Sequence, residues 1–214
     1  MKKALVTTRV ENYRPELCAY TMPNLKRYAD AVGADFIEIT ERQFPKFHPA
    51  YEKLQVHEIA RHYDKTLLVD ADMIIHPRLP SLIDSIPVDT VALWQQYAIK
   101  HSSLTLWETA GDPYFMRDGR NLGVVGCLVG CTRSTYDVFE PLPDTCESVQ
   151  MQDKIYRPAI IDEYTMSRNV ARYGLKISYP WFSQASIGVY HADATTKNDA
   201  DILDNARRLL KVWE

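Results

Sequence analysis

Two aspartates, Asp70 and Asp72, interrupt the run Thr-Leu-Leu-Val-Asp-Ala-Asp-Met-Ile-Ile over residues 66–75. Such an apolar run is typical of a strand buried in a sheet. On an extended backbone, side chains two positions apart project to the same side, so the two carboxylates would repel each other without a cation between them. A hard divalent cation prefers oxygen ligands and retains positions for phosphate. The pattern therefore indicates a metal site, while the alternative that the acids only cap a helix or begin a turn stays open.

The elements around this segment predict an α/β fold. Strands over 4–8 and 34–40 alternate with helices over 23–32 and 49–63 before the acid-bearing strand is reached. Alternation of this kind is typical of parallel strands joined by crossover helices, and ligands bind at the carboxyl edge of such sheets. Further along the chain, the pattern predicts strands over 90–95, 121–129, 176–179 and 186–190 and helices over 134–139, 162–173 and 199–213. It also predicts irregular helix plus loop over 97–120 and a loop-rich segment over 141–156.

Composition narrows the classes of protein. The chain has 214 residues and a net charge of -3 without a basic tract, which fits one globular domain and argues against nucleic acid as the main partner. No run approaches the roughly 18 apolar residues of a membrane span, and the start does not resemble a signal peptide. We therefore expect a cytoplasmic protein or a soluble domain of a longer chain.

The cysteines and glycines form no motif that indicates a catalytic or nucleotide-binding site. No Cys-x-x-Cys pair occurs, and Cys127 and Cys131 lie in an apolar segment that predicts buried thiols. The eight glycines form neither a Gly-x-Gly-x-x-Gly motif nor a P-loop. A nucleotide would therefore be bound without a glycine-rich cradle.

Six short motifs together resemble the motifs of a known protein family. They are Asn12-Tyr13, Tyr51-Glu52-Lys53-Leu54, Asp70-Ala71-Asp72, Asn121-Leu122-Gly123-Val124, Asp162-Glu163 and the segment from His191 to Lys197. In this order they resemble the motifs of metal-dependent glycosyltransferases of the GT-A fold, and most closely those of the retaining glycosyltransferase family 8. The chain departs from the family pattern where Lys53 replaces arginine, Glu163 replaces glutamine and Ala194 replaces glycine. Compact transferase domains of this kind also occur in large DNA viruses.

The resemblance implies a fold and a reaction. The fold is a single Rossmann-like α/β domain with a central, mostly parallel sheet flanked by helices, in which residues 1–95 bind the nucleotide and residues 96–214 bind the sugar and the acceptor. The reaction is transfer of a sugar from a nucleoside diphosphate sugar, expected to be a UDP-sugar, to a hydroxyl of a glycan or glycoprotein. Retention of the anomeric configuration is expected.

The resemblance also implies residue roles. Asp70, Asp72 and His191 would hold Mn²⁺, with Mg²⁺ as the alternative ion. The catalytic residues would be Asp162, Glu163 and Lys197, with Asp162 nearest the anomeric carbon. The residues expected to bind the donor are Thr7, Thr8, Arg9, Asn12, Tyr13, Lys53, Asp70, Ala71, Asn121 and Gly123.

Several alternatives remain at this stage. Tyr13 could stack on a base or pack against its own helix, His191 could be a structural histidine, and Asp162 and Glu163 could only cap their helix. Three rival functions also remain. They are a haloacid-dehalogenase-type phosphatase or phosphotransferase with Asp70 as its nucleophile, a sugar nucleotidyltransferase, and a binding module with an inactive transferase fold.

Overall fold

A computed structural model describes residues 1–94, 124–155, 158–181, 188–191 and 199–213. Within these ranges the strands are β1 Lys3–Thr8, β2 Asp35–Ile39, β3 Lys65–Val69, β4 Met73–Ile75, β5 Thr90–Leu93, β6 Leu128–Thr132, β7 Lys176–Ser178 and β8 Val189–His191. Six of them form one sheet in the order β2-β1-β3-β6-β5-β7, and β6 is the strand antiparallel to the other five. The two short strands β4 and β8 form a separate antiparallel pair. The predicted α/β class and mostly parallel sheet are confirmed.

The described residues also form helices of two kinds. In these ranges the α-helices are α1 Pro15–Val32, α2 Val56–Ala60, α3 Cys146–Lys154, α4 Ile161–Tyr173 and α5 Asp199–Trp213, and the 3₁₀ helices are Pro49–Gln55, Tyr136–Phe139 and Pro158–Ile160. Both α1 and α4 end at a glycine in the left-handed conformation, Gly33 with φ 65° and Gly174 with φ 60°. Only glycine adopts this conformation without steric cost, so these predicted helix ends are confirmed.

The sheet has a core on each face because side chains alternate along a strand. Val6 and Leu68 lie in one core with the 3₁₀ helix Pro49–Gln55, α2 and α4. Leu5 and Leu67 lie in the other core with α1. The two layers hold the carboxyl ends of β1 and β3 in fixed positions between α1 and α4.

The strand predicted over 66–75 is wrong as a single element. β3 ends at Val69, and the chain turns through Asp70 and Asp72, where the Met73 N–H donates to the Asp70 carbonyl at 3.0 Å. β4 then leaves the main sheet to pair with β8. Aspartate favours turns because its short side chain can satisfy local backbone groups. The acid pair therefore lies in a turn, and its side chains are not positioned by strand alternation.

Other predicted bounds also need correction. Helix α1 begins at Pro15, where proline fits the first turn, rather than near Pro23. The strand predicted over 121–129 is confirmed at Leu128 and Val129 and wrong over 124–127, because β6 begins at Leu128. The segment predicted as loop-rich contains α3, whose first turn is capped by Thr145 through a 3.2 Å bond from the Ser148 N–H.

Two further sequence expectations concern thiols and membranes. Cys127 and Cys131 are buried free thiols, as predicted. Among the helices in the described ranges, none has the length and apolar character needed to cross a bilayer.

Candidate functional site

A cavity of about 300 Å³ opens at the carboxyl edge of β1 and β3. This volume is at the lower end of the range for small-molecule sites. In the parallel register Val6 lies opposite Leu68, so Thr8 and Asp70 leave the sheet side by side. The lining residues that the sequence predicted as ligand-binding are Thr8, Tyr13, Lys53, Asp70, Ala71 and Asp72, and those that it did not predict are Val10, His48, Pro49, Ala50 and Ala159.

Lys53 connects two acidic segments of the site. Its Nζ lies 2.7 Å from Asp70 Oδ1 and 3.1 Å from Asp162 Oδ2. Burial alone would lower the pKa of Lys53, but the carboxylates of Asp162 and Asp70 reverse this effect and raise the pKa well above its ordinary value. The side chain therefore stays charged and holds the turn after β3 against the first turn of α4.

Asp162 and Glu163 are packed against the loop before β6. Asp162 is 1 % exposed, and Glu163 Oε1 accepts a 3.0 Å hydrogen bond from the Gly126 N–H. A Cβ at Gly126 would lie 2.6 Å from Asp162 Oδ2, so only glycine allows this close approach. Burial, followed by the charge of Asp162, raises the pKa of Glu163 to about 7. Glu163 can therefore gain or lose a proton near neutral pH.

Tyr13 lies in the loop that joins β1 to α1. Its hydroxyl donates to Asp72 Oδ2 at 3.0 Å, and the side chain is 37 % exposed on the cavity wall. Three residues of the loop, Glu11, Asn12 and Arg14, have left-handed φ values between 37° and 54°. Such backbone conformations in residues other than glycine cluster at functional sites, where the surrounding structure maintains them. The hydrogen bond gives Tyr13 a role that the sequence did not indicate, which is to orient Asp72.

The other predicted donor-binding residues are distributed as follows. Thr7 is buried and faces the opposite side of β1 from Thr8. Arg9 forms an ion pair with Glu38 at 2.6 Å, and Asn12 is exposed in the loop. None of these three is among the described residues that line the cavity. Asn121, Gly123 and Lys197 lie outside the described residues, so their roles stay predictions.

The predicted metal ligands come together in part. Asp70 and Asp72 line the cavity, and the backbone of His191 pairs with Met73, the residue directly after Asp72. The described residues contain no group of three or more histidine, cysteine or acidic side chains arranged to hold a metal ion. The two carboxylates have the oxygen donors that a hard cation prefers. They fit part of a metal site, and the third ligand stays a prediction.

His48 is a lining residue that the sequence did not indicate as functional. It precedes Pro49, the first residue of the 3₁₀ helix, and its Nδ1 accepts a 3.2 Å hydrogen bond from the Ala50 N–H. A proline in the first turn marks a helix start, and this signal could have identified His48 as the capping residue. Its position on the cavity wall depends on contacts between distant parts of the chain.

Several solved structures with this architecture are glycosyltransferases. A glycosyltransferase involved in the glycosylation of the major capsid of PBCV-1 matches 97 % of this chain and 100 % of its own, with a TM-score of 0.57 and 8 % identity. The chain has the GT-A fold. The galactosyltransferase LgtC, in complex with donor and acceptor sugar analogs, matches 98 % of this chain and 95 % of its own, with a TM-score of 0.54 and 12 % identity. Mouse xyloside xylosyltransferase 1 matches 92 % of this chain and 100 % of its own, with a TM-score of 0.52 and 11 % identity.

Sequence similarity does not extend this result. No protein-family model matches the sequence, and no curated protein is significantly similar to it. The identities to the solved structures are low, so the similarity concerns the GT-A fold, and the chemistry must be argued from this chain's own residues.

Proposed function

We propose that the chain is a metal-dependent glycosyltransferase that uses a nucleoside diphosphate sugar, in particular a UDP-sugar, and glycosylates a hydroxyl of a glycan or glycoprotein. The observation that carries this proposal is the wall of the cavity in a GT-A fold, where Asp70, Asp72 and Lys53 lie together at the carboxyl edge of the sheet. Ligands of open α/β sheets bind at this edge.

The charges of the site favour a cation together with an anionic donor. Asp70, Asp72, Asp162 and Glu163 supply carboxyl groups, whereas Lys53 is already paired with two of them. A diphosphate would be repelled by these acids unless a cation bound first. Asp70, Asp72 and His191 would hold Mn²⁺ or Mg²⁺, which when bound acts as a Lewis acid that offsets negative charge on the leaving diphosphate.

The chain's own residues account for the remaining steps. Thr8 and Tyr13, which line the cavity, would contact the nucleoside. Lys53 would stabilise the charge that develops on the leaving diphosphate, and Lys197 would act in the same way. Ala71, Asn121 and Gly123 would complete the donor site.

Asp162 and Glu163 would face the transferred sugar. The buried carboxylate of Asp162 would stabilise positive charge at the anomeric carbon when the bond to the diphosphate breaks. Retention fits this arrangement, because the leaving phosphate can accept the proton of the acceptor hydroxyl on the same face, and no strong base is needed.

The proposal is tested with a panel of nucleoside diphosphate sugars in the presence and absence of Mn²⁺. We expect Mn²⁺-stimulated hydrolysis of at least one UDP-sugar, and loss of that stimulation in Asp72→Ala. Asp144→Ala is the matched control, because Asp144 is an exposed acid that pairs with Lys46 and does not line the cavity. Full Mn²⁺-stimulated activity in Asp72→Ala would refute the assignment.

The same preparations separate the rival functions. A phosphatase with Asp70 as nucleophile would release phosphate from aryl phosphates and form a phosphoaspartate, and a sugar nucleotidyltransferase would release pyrophosphate from a nucleoside triphosphate and a sugar phosphate. An inactive binding module would bind the donor without hydrolysing it. The anomeric configuration of the product, measured by NMR, tests retention.

A further inference from the structure

The hydrogen bond between Ala50 and His48 determines the tautomer of the His48 side chain. A backbone N–H can only donate, so His48 Nδ1, which accepts from Ala50 at 3.2 Å, carries no proton. A neutral imidazole has one N–H group, which must then be at Nε2. Burial lowers the pKa of His48, which favours this neutral form. His48 therefore offers one hydrogen-bond donor, at Nε2.

The Nε2–H group of His48 is available to form a hydrogen bond with a ligand. His48 lines the cavity and is half-buried. No described residue accepts a hydrogen bond from its Nε2. Thr8 is similar, because its buried Oγ1 has no hydrogen-bond partner among the described residues and the residue lines the same cavity. By contrast, Lys53 and Tyr13 are engaged by acids of the protein.

The position of His48 along the cavity indicates which part of a nucleoside diphosphate sugar it would contact. A 3₁₀ helix rises about 2 Å per residue, so the backbone of Lys53 lies roughly 10 Å beyond that of His48 along the helix Pro49–Gln55. Lys53 lies at Asp70, where the proposed function has the diphosphate. Among the described lining residues, all but Ala159 lie between Thr8 and Asp72, within residues 1–95, the predicted nucleotide-binding half. The part of the ligand beyond the diphosphate in this half is the nucleoside.

We infer that His48 is a specificity-determining residue that donates a hydrogen bond from Nε2 to a carbonyl oxygen of the donor's base. This inference rests on the proposed function. Uracil suits the arrangement because it has two carbonyl oxygens, and the free Thr8 hydroxyl can either donate to the base or ribose or accept from it.

Two variants separate the roles of the two nitrogen atoms of His48, which are capping by Nδ1 and hydrogen-bond donation by Nε2. In His48→Asn the side-chain oxygen can still accept a hydrogen bond from the Ala50 N–H, so the helix cap is kept. The hydrogen-bond donor at the position of Nε2 is removed. In His48→Gln the longer side chain places its amide nitrogen near the former Nε2 position. This variant keeps a hydrogen-bond donor at that position, while the helix cap is weakened. Thermal unfolding of both variants measures the cap separately from ligand binding.

The assay is calorimetric binding of UDP and of pyrophosphate, each with Mn²⁺. We expect His48→Asn to bind UDP about tenfold more weakly, as the loss of one well-placed hydrogen bond predicts, and to bind pyrophosphate as the unchanged protein does. His48→Gln should bind UDP within about threefold of the unchanged protein, even if it melts earlier.

Two results would overturn the inference while the proposed function stands. They are unchanged UDP binding in His48→Asn and an equal loss of pyrophosphate binding in that variant. If the unchanged protein binds no UDP with Mn²⁺, the proposed function fails together with the inference.

Discussion

Replacing Lys53 with methionine tests whether this residue holds the site together. Methionine keeps much of the length and apolar volume of the side chain but removes the charge that lies 2.7 Å from Asp70 and 3.1 Å from Asp162. Because Asp162 is 1 % exposed, its carboxylate would be left buried without its cation. We expect Lys53→Met to lower the free energy of unfolding strongly and to loosen the turn after β3 from α4.

The magnitude follows from the two distances. At an effective dielectric constant of about 20, each contact corresponds to a gross attraction of about 5 to 6 kcal/mol, which desolvation of the charges largely offsets. Removal of one partner from a buried ion pair typically costs about 3 to 5 kcal/mol. Typical domains have a free energy of unfolding of about 5 to 15 kcal/mol, so this variant would lose a large share of its stability.

Urea unfolding followed by circular dichroism measures the change. Lys46→Met is the matched control, because Lys46 also pairs with an aspartate, Asp144 at 2.9 Å, but both side chains are more than 60 % exposed. An exposed pair contributes at most about 1 kcal/mol, so the control should unfold almost as the unchanged protein does. Acid should reduce the defect of Lys53→Met, because protonation removes the uncompensated carboxylate charge.

A double variant gives the decisive comparison. Adding Asp162→Asn to Lys53→Met removes the buried charge that lost its partner, so much of the lost stability should return. If Lys53→Met is no more destabilising than Lys46→Met, Lys53 does not bind the two acids in the way described.

Two further predictions concern the acids beside Lys53. Because the pKa of Glu163 is raised from 4.5 to about 7, the folded chain retains a proton between these pH values that the unfolded chain has lost, and stability should fall as pH rises through this window, by up to about 3 kcal/mol. Glu163→Gln cannot ionise and should remove this part of the pH dependence in urea unfolding; an unchanged profile would contradict the assignment. Gly126→Ala would bring a methyl group to 2.6 Å from Asp162 Oδ2, so we expect lower stability and slower donor hydrolysis, and a variant with unchanged kinetics and melting would show that the loop can move aside.

Local patterns predicted much of the fold. The apolar run of β1 and the glycines that end α1 and α4 are short-range signals, and these elements occur where expected. The single strand predicted over 66–75 failed, because the change from the main sheet to the β4–β8 pair depends on a partner more than a hundred residues away. An apolar run has the same pattern whether it stays in one sheet or crosses to another.

By itself, the sequence determined which residue types are available for chemistry and the order of most strands and helices, because both depend on residues close together in the chain. Tertiary structure decided which of these residues meet. Lys53 lies between Asp70 and Asp162, the Tyr13 hydroxyl donates to Asp72, and His48 joins the cavity wall. These contacts form only when the turns after β1 and β3, the 3₁₀ helix and the first turn of α4 pack at one edge of the sheet, and no short-range pattern encodes that packing.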